Sequence, residues 1–240
     1  MLKELADIIL PRECVVCGGR LDRYERHLCI YCMADLPLTY TWTMTRNQMS
    51  DRFNELVQKD LLSYEPYIFA SSLFFYSGEA NYRKIPYSIK YHGNTSIGRM
   101  FGRMLGERMH SAKHFSDVDL VIPVPLHWTR EWKRGYNQSE VIASEIAKSM
   151  QAELETRLLY RRRRTTTQTK LDVEHKMLNV SGAFALREKV LTEIPEVRHI
   201  LIVDDVFTTG ATLKACYRAL RGYFPISVRI SIATLGLVGG

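Results

Sequence analysis

His199-Ile200-Leu201-Ile202-Val203-Asp204-Asp205-Val206-Phe207-Thr208-Thr209-Gly210-Ala211-Thr212 passes from apolar to acidic to small and hydroxylated within one short stretch. The run Ile200–Val203, rich in β-branched residues, suits a parallel strand covered on both faces. Asp204 and Asp205 follow at its carboxyl end, where open α/β sheets receive ligands. Thr208, Thr209, Gly210, Ala211 and Thr212 then offer backbone N–H groups and hydroxyls without bulk at the start of a helix, an arrangement that cradles phosphate. Leu213, Cys216, Tyr217, Leu220 and Phe224 fall on one face of that helix. An ordinary βα turn with solvated aspartates has the same local pattern. So does the magnesium carboxylate of a P-loop ATPase, but the G-x-x-x-x-G-K-[ST] string it requires does not occur.

A chain of 240 residues, 46% hydrophobic and 25% charged, has room for one substantial α/β domain and a small satellite. The net charge of +7 and a pI near 9.2 favour polyanionic partners, small phosphates or nucleic acid. Met1–Pro11 carries acids within a short apolar run, too short and too acidic for a signal peptide. Leu2, Leu5, Ile8 and Ile9 suggest a short amphipathic helix stopped by Pro11. No apolar run is long enough to span a bilayer, so the expectation is a cytoplasmic protein without membrane insertion.

Cys14-Val15-Val16-Cys17 and Cys29-Ile30-Tyr31-Cys32 are two C-x-x-C pairs separated by eleven residues. Four thiolates so spaced can close a tetrahedral site around structural Zn²⁺, with Gly18-Gly19 permitting the turn after the first pair. Two disulfides are the competing reading, disfavoured in the cytoplasm, and a thioredoxin-like redox pair is the weaker one. Cys216 stands alone and reads as a buried core thiol.

The spacing of Phe53, Leu56, Val57 and Leu61 predicts a helix over 51–62. Ile68–Tyr76 reads as a strand with Ser77-Gly78 as a turn. Helices follow over 80–91 and 96–109, broken at His92-Gly93-Asn94, the second with an apolar stripe at Met100, Phe101, Met104, Leu105 and Met109. Asp119–His127 is a strand and its exit, where Pro123 and Pro125 force a rigid loop. That loop is expected to continue, basic and aromatic, through Trp128–Tyr136. Asn137 and Glu140 suit a capping box for a helix to Met150, buried at Ile142, Ile146 and Met150. A short strand then enters Arg161–Arg164 and a polar, strongly positive segment to about Leu171. By composition alone the arginine run has a bland reading too, a solvated face. Val180–Leu186 returns to strand, and Ile226, Val228, Ile230 and Ile232 alternate with polar residues as a half-buried last strand.

The opening stretch resembles the signature of type I phosphoribosyltransferases. Together with the tandem cysteine pairs, I-P-V-P-L-H with R-G-Y-N-Q-S, and R-x-x-x-T-x-x-Q-x-x-L, it makes the chain similar to the ComF family, which is associated with competence. The expected fold is α/β: a type I phosphoribosyltransferase-like, parallel-rich sheet flanked by helices, plus a small N-terminal zinc-binding module of four cysteines. The expected organisation is a zinc-knuckle module over 1–45, a connector helix over 46–66 and a phosphoribosyltransferase-like domain over 67–240.

The resemblance implies that Asp204 and Asp205 hold the ribose hydroxyls of phosphoribosyl pyrophosphate, while Thr208, Thr209, Gly210, Ala211 and Thr212 wrap its 5′-phosphate. Lys133 and Arg134, in the loop from Val124 to Gly135, would meet the pyrophosphate and its Mg²⁺. Arg161, Arg163, Thr167 and Gln168 would belong to a flexible loop that closes over the ligand. Cys14, Cys17, Cys29 and Cys32 would hold Zn²⁺. Trp128 and Lys176 depart from the residues that family members tend to carry at those positions.

Two functions of different class follow as expectations. One is a Mg²⁺-dependent phosphoribosyltransferase, a member of the glycosyltransferase class, with an unknown acceptor and a role related to competence and DNA uptake. The other is a non-catalytic single-stranded-DNA-binding protein of DNA uptake that keeps the transferase fold as a phosphate-binding scaffold, with DNA-uptake proteins as partners.

Overall fold

The structure, a computed structural model, describes residues 12–59, 65–76, 81–162 and 182–239. Its strands in chain order are β1 (Ala70–Phe75), β2 (Leu120–Pro123), β3 (Glu153–Leu154), β4 (Leu159–Arg161), β5 (Phe184–Leu186), β6 (His199–Phe207) and β7 (Arg229–Leu237). Five of them form one sheet in the order β1-β7-β6-β2-β3, every neighbouring pair parallel, and β4 and β5 form a separate antiparallel pair.

The helices are α1 (Ile30–Ala34), α2 (Gln48–Gln58), α3 (Lys84–Tyr91), α4 (Thr95–His110), α5 (Trp128–Arg134), α6 (Gln138–Met150), α7 (Glu188–Leu191) and α8 (Ala211–Arg221). Strand β6 feeds two cores at once. Leu201 and Val203 pack with Ile89, Phe101, Leu105 and Ile146, whereas Ile200 and Ile202 pack with Phe53, Leu213, Tyr217 and Leu220 on the other face. Double coverage is why this strand is apolar at consecutive positions instead of alternating. Fold class thus agrees with expectation: a parallel α/β sheet with flanking helices and an N-terminal cluster of four cysteines.

Helices α4 and α6 approach closely because glycine lines the contact. A Cβ on Gly102 would lie 2.8 Å from the Ile142 carbonyl oxygen, and one on Gly106 would lie 2.9 Å from the Ile146 Cα. At the sheet edge, Phe75 N donates to Pro37 O at 2.8 Å and Thr39 N to Leu73 O at 3.1 Å. The incoming chain therefore occupies part of the open side of β1.

Several local expectations change. The helix expected over 51–62 is α2; it starts earlier because Asn47 and Ser50 form a reciprocal capping box, and its described part ends at Gln58. Trp128–Arg134 is helix, not loop: His127 Nδ1 accepts the Thr129 N–H at 3.3 Å and so caps α5, which Gly135 ends in the left-handed region. The side chain of Asn137 caps α6 through the Ser139 amide, so Glu140 is not half of a capping box. Strand β7 is not half-buried. It lies between β1 and β6, Ile230 to Leu237 are all buried, and the polar Ser231 is used internally by the His199 ring at 2.8 Å. Ile226 precedes the strand and is exposed. The N-terminal amphipathic helix, Leu61, the Ser77-Gly78 turn and the segment from Arg163 through Val180 lie outside the described residues.

Candidate functional site

The carboxyl ends of β2 and β6 open into a cavity of about 580 Å³ bounded by α3, α5 and the first turn of α6. Asp204 and Asp205 form its floor. Strand β6 runs two residues beyond them to Phe207, so both carboxylates lie within the strand and not at its last position. Successive strand residues alternate in direction, which gives the two acids different surroundings.

Asp205 is buried and ion-paired, with Lys90 Nζ 2.6 Å from its Oδ2. Asp204 is held by neutral donors: Ser139 Oγ donates to its Oδ1 at 2.8 Å and the Asp205 amide to the same oxygen at 2.9 Å. Burial, with the neighbouring Asp205, pushes Asp204 up from its ordinary 3.8 to about 7, against the opposing pull of Lys90. Burial works against the charge of Lys90, but Asp205 and then Asp204 hold its ammonium above its ordinary value.

Around this floor the wall is basic. Lys90, Arg130, Lys133, Arg134 and Arg161 line the cavity, five cationic side chains against the two carboxylates. Burial, and next the nearby Arg130, push the Arg161 guanidinium below its ordinary value. Arg134 donates to Gln138 Oε1 and lies over the Tyr91 ring, 5.5 Å from its centroid. Tyr136 donates its hydroxyl proton to the Ile89 carbonyl, and Asn137 Nδ2 donates to Val124 O at 3.0 Å. These bonds tie the loop after β2 to both α3 and α6.

The turn from β6 to α8 is built on Gly210, whose φ of 78° lies in the left-handed region. A Cβ there would meet the Phe207 ring at 3.0 Å. Arg52 of α2 supports the turn from behind, donating to Thr208 O at 2.8 Å and Val238 O at 3.1 Å. Thr209 Oγ1 accepts the Ala211 amide at 3.4 Å. The first-turn amides of any α-helix lack intrahelical partners, and α8 presents such a turn here.

Of the residues singled out from sequence, the structure gathers Asp204, Asp205, Thr212, Lys133, Arg134 and Arg161 around one cavity. Thr208, Thr209, Gly210 and Ala211 form the adjoining turn and are not among its lining residues. Arg163, Thr167 and Gln168 lie outside the described residues. Lys90, Tyr91, Ser139 and Gln138 were not singled out as ligand-site residues, yet all four line the cavity. Ser139 stands inside the R-G-Y-N-Q-S string, a signal that could have found it; Lys90 had none.

At the other end of α3 lies the cysteine cluster. The sulfurs of Cys14, Cys17, Cys29 and Cys32 all fall within 4.8 Å of one another, with Cys17 and Cys29 at 3.8 Å. Tetrahedral thiolates about 2.3 Å from a central zinc lie about 3.8 Å apart, so the set fits that metal. Gly18, with φ of 76°, turns the chain back so that Gly18 N reaches Cys14 O at 2.8 Å and Cys14 N reaches Gly19 O at 2.8 Å. Cys216 is buried on α8 away from this cluster, as a core thiol.

Residues 137–235 match the family described as "Phosphoribosyl transferase domain", a span that begins at the cap of α6 and ends in β7. Competence protein F of Haemophilus influenzae is 32% identical over 135 residues, 55% of this chain and 58% of that protein. DNA utilization protein YhgH of Escherichia coli K12 and of Salmonella typhimurium are each 30% identical over 131 residues, 53% of this chain and 55% of theirs. The chain thus spans little more than half the length of the curated relatives it matches. The matched span holds the acidic pair, Ser139 and the α8 turn, so over these parts of the site the chain is similar to phosphoribosyl transferase domains, and over about half its length to Competence protein F and the YhgH proteins.

Proposed function

We propose that the cavity binds phosphoribosyl pyrophosphate as its Mg²⁺ complex and that the protein transfers the phosphoribosyl group to an acceptor. The observation that carries this reading is the meeting, at one strand end, of an acidic pair, a small-residue helix start and a basic wall. Asp204 and Asp205 accept hydrogen bonds from the ribose hydroxyls, and the turn over 208–212 donates its amides and hydroxyls to the 5′-phosphate. Lys133, Arg134 and Arg161 meet the pyrophosphate. In the transfer, the bond from the anomeric carbon to the pyrophosphate oxygen breaks and a bond to the acceptor nucleophile forms. Positive charge grows on the sugar and negative charge on the leaving group, which the basic wall stabilises. Mg²⁺ bound to the donor would add positive charge at the leaving pyrophosphate, which Lys133, Arg134 and Arg161 meet from the protein side.

Pyrophosphate release, screened against bases, amines and nucleic acids as acceptors, tests this directly. Release that depends on one acceptor class and disappears in Asp204→Asn/Asp205→Asn is the expected result. Release no faster than from the donor alone across the whole screen refutes transfer.

A second reading has its own observation. Trp128 and Trp132 are 70% and 83% exposed on α5, on the same short helix as Arg130, Lys133 and Arg134. Aromatic faces interleaved with cations suit stacked single-stranded DNA, and the names of the relatives speak of competence and DNA utilization. In this reading the protein serves DNA uptake, together with other uptake proteins, without catalysis. Affinity for single strands then falls steeply with salt and drops in Trp132→Ala. Salt-independent binding, or none, removes it.

We further propose a cytoplasmic location and the division into a zinc-knuckle module (1–45), a connector (46–66) and a transferase-like domain (67–240). Among the described residues, no helix is long and apolar enough to cross a membrane.

A further inference from the structure

Helix α3 touches two regions that are distant in sequence. Its leading end rests on the cysteine module: Lys84 Nζ donates to Val16 O at 2.8 Å, and Tyr82 OH, just ahead of the helix, donates to Cys32 O at 3.1 Å. Val16 sits between Cys14 and Cys17, so both contacts fall on or beside the sulfur ligands. Ile85 and Ile89 are fully buried in the same core as Val16, Leu21 and Leu28. The trailing end carries Lys90, 2.6 Å from Asp205. With 8 residues, the helix is about 12 Å long. Ordinary helix curvature over so short a length is negligible, so the two ends move together.

The charge at the trailing end matters because Asp205 is only 4% exposed. A buried carboxylate without an opposite charge is costly, and Lys90 supplies that charge from outside the transferase domain span of 137–235. Asp204, by contrast, relies on Ser139 and the Asp205 amide.

We propose that Lys90 is a positioning residue that holds Asp205 in place for the ribose, and that the cysteine module sets Lys90 through α3. The proposal rests on the reading of the cavity as a phosphoribosyl pyrophosphate site. It gives the zinc module a second consequence: loosening it degrades a ligand site built from other segments.

A double-mutant cycle tests this by calorimetric titration of the zinc-loaded full chain with Mg²⁺-phosphoribosyl pyrophosphate. Lys90→Met weakens binding by about tenfold or more, on the scale of truncating one partner of a buried charge pair, and Lys90→Arg restores part of it. Lys84→Met, with Tyr82→Phe as the milder variant, weakens binding severalfold alone and adds nothing in the Lys90→Met background. Equal losses from Lys84→Met in both backgrounds, or full affinity in Lys90→Met, overturn the proposal.

Carboxyl carbon NMR of the ligand-free protein supplies a second readout. The groups facing the acidic pair are Lys90 from α3, Ser139 from α6, Arg161 from β4 and Cys216 from α8. Removing the lysine charge moves proton uptake by Asp204 to higher pH, and Lys84→Met moves it the same way by less. Unmoved titration in Lys90→Met overturns the proposal. If the wild type binds no donor at all, the ligand reading fails, and the NMR titrations still decide the role of Lys90.

Discussion

Replacing Asp204 by asparagine should stabilise the protein at alkaline pH while removing its ligand site. Burial and Asp205 raise Asp204 from 3.8 to about 7, so between those values the folded state binds a proton that the unfolded state has released. Stability from this group is therefore greatest at low pH and is lost as pH rises toward 7. Each unit of pKa difference corresponds to about 1.4 kcal/mol, so the full cost approaches about 4 kcal/mol above neutrality. Between pH 5.5 and pH 8 the share lost is about 2 kcal/mol, since the difference closes once the folded group ionises. Asparagine still accepts from Ser139 Oγ and the Asp205 amide, and it carries no charge. The assay is thermal or urea unfolding of the zinc-loaded wild type and Asp204→Asn at both pH values. The advantage of the variant should grow by about 2 kcal/mol from pH 5.5 to pH 8, about 4–8 °C in Tm for a chain of this size. Comparison at equal pH cancels the shared titrating groups that do not interact with Asp204; Asp205 and Lys90, which do, respond to the same lost charge. Parallel pH profiles would falsify the reasoning that the folded state holds Asp204 well above its ordinary pKa.

Other outcomes follow from the same structure. Gly210→Ala puts a Cβ 3.0 Å from the Phe207 ring at φ 78° and should destabilise by about 1–3 kcal/mol, with donor affinity lost beyond what urea unfolding accounts for. Metal analysis should return one zinc per chain, and Cys14→Ser or chelation should lower Tm in a single step shared by the module and the sheet. Zinc far below one equivalent in a fully folded chain contradicts the cluster as a metal site. His199 is fully buried, with Nε2 2.8 Å from Ser231 Oγ, and burial pushes it from 6.5 to about 4. Its neutral form favours the fold above its ordinary value, and that stability is lost as pH falls toward 4. An NMR midpoint for the ring near 6.5 would contradict this.

The readable parts of the molecule were those whose signal is local. Ile200–Val203, the acidic pair and the turn over 208–212 are contiguous, and Leu213, Cys216, Tyr217, Leu220 and Phe224 are all buried as their spacing predicts. The cysteine pairs likewise announce themselves by spacing alone. Contacts made by tertiary folding were hidden. Lys90 sits in a helix between two exposed tyrosines, Tyr87 and Tyr91, and reads as an ordinary surface lysine until α3 brings it to Asp205. The helix α5 was masked by its tryptophans, its charges and the prolines before it; the decisive cap is His127, a residue type that seldom signals a helix start. Alternation around Ile226–Ile232 suggested one wet face for β7, because the partner of Ser231 is a histidine on the neighbouring strand.

The proposal on which the others depend is that the acidic pair near the carboxyl end of β6 holds phosphoribosyl pyrophosphate. Its most direct test is calorimetric titration of the wild type and of Asp204→Asn/Asp205→Asn with the donor in the presence of Mg²⁺. Saturable one-to-one binding to the wild type, abolished in the folded double variant, is the predicted result. Equal affinity in the two proteins would contradict it.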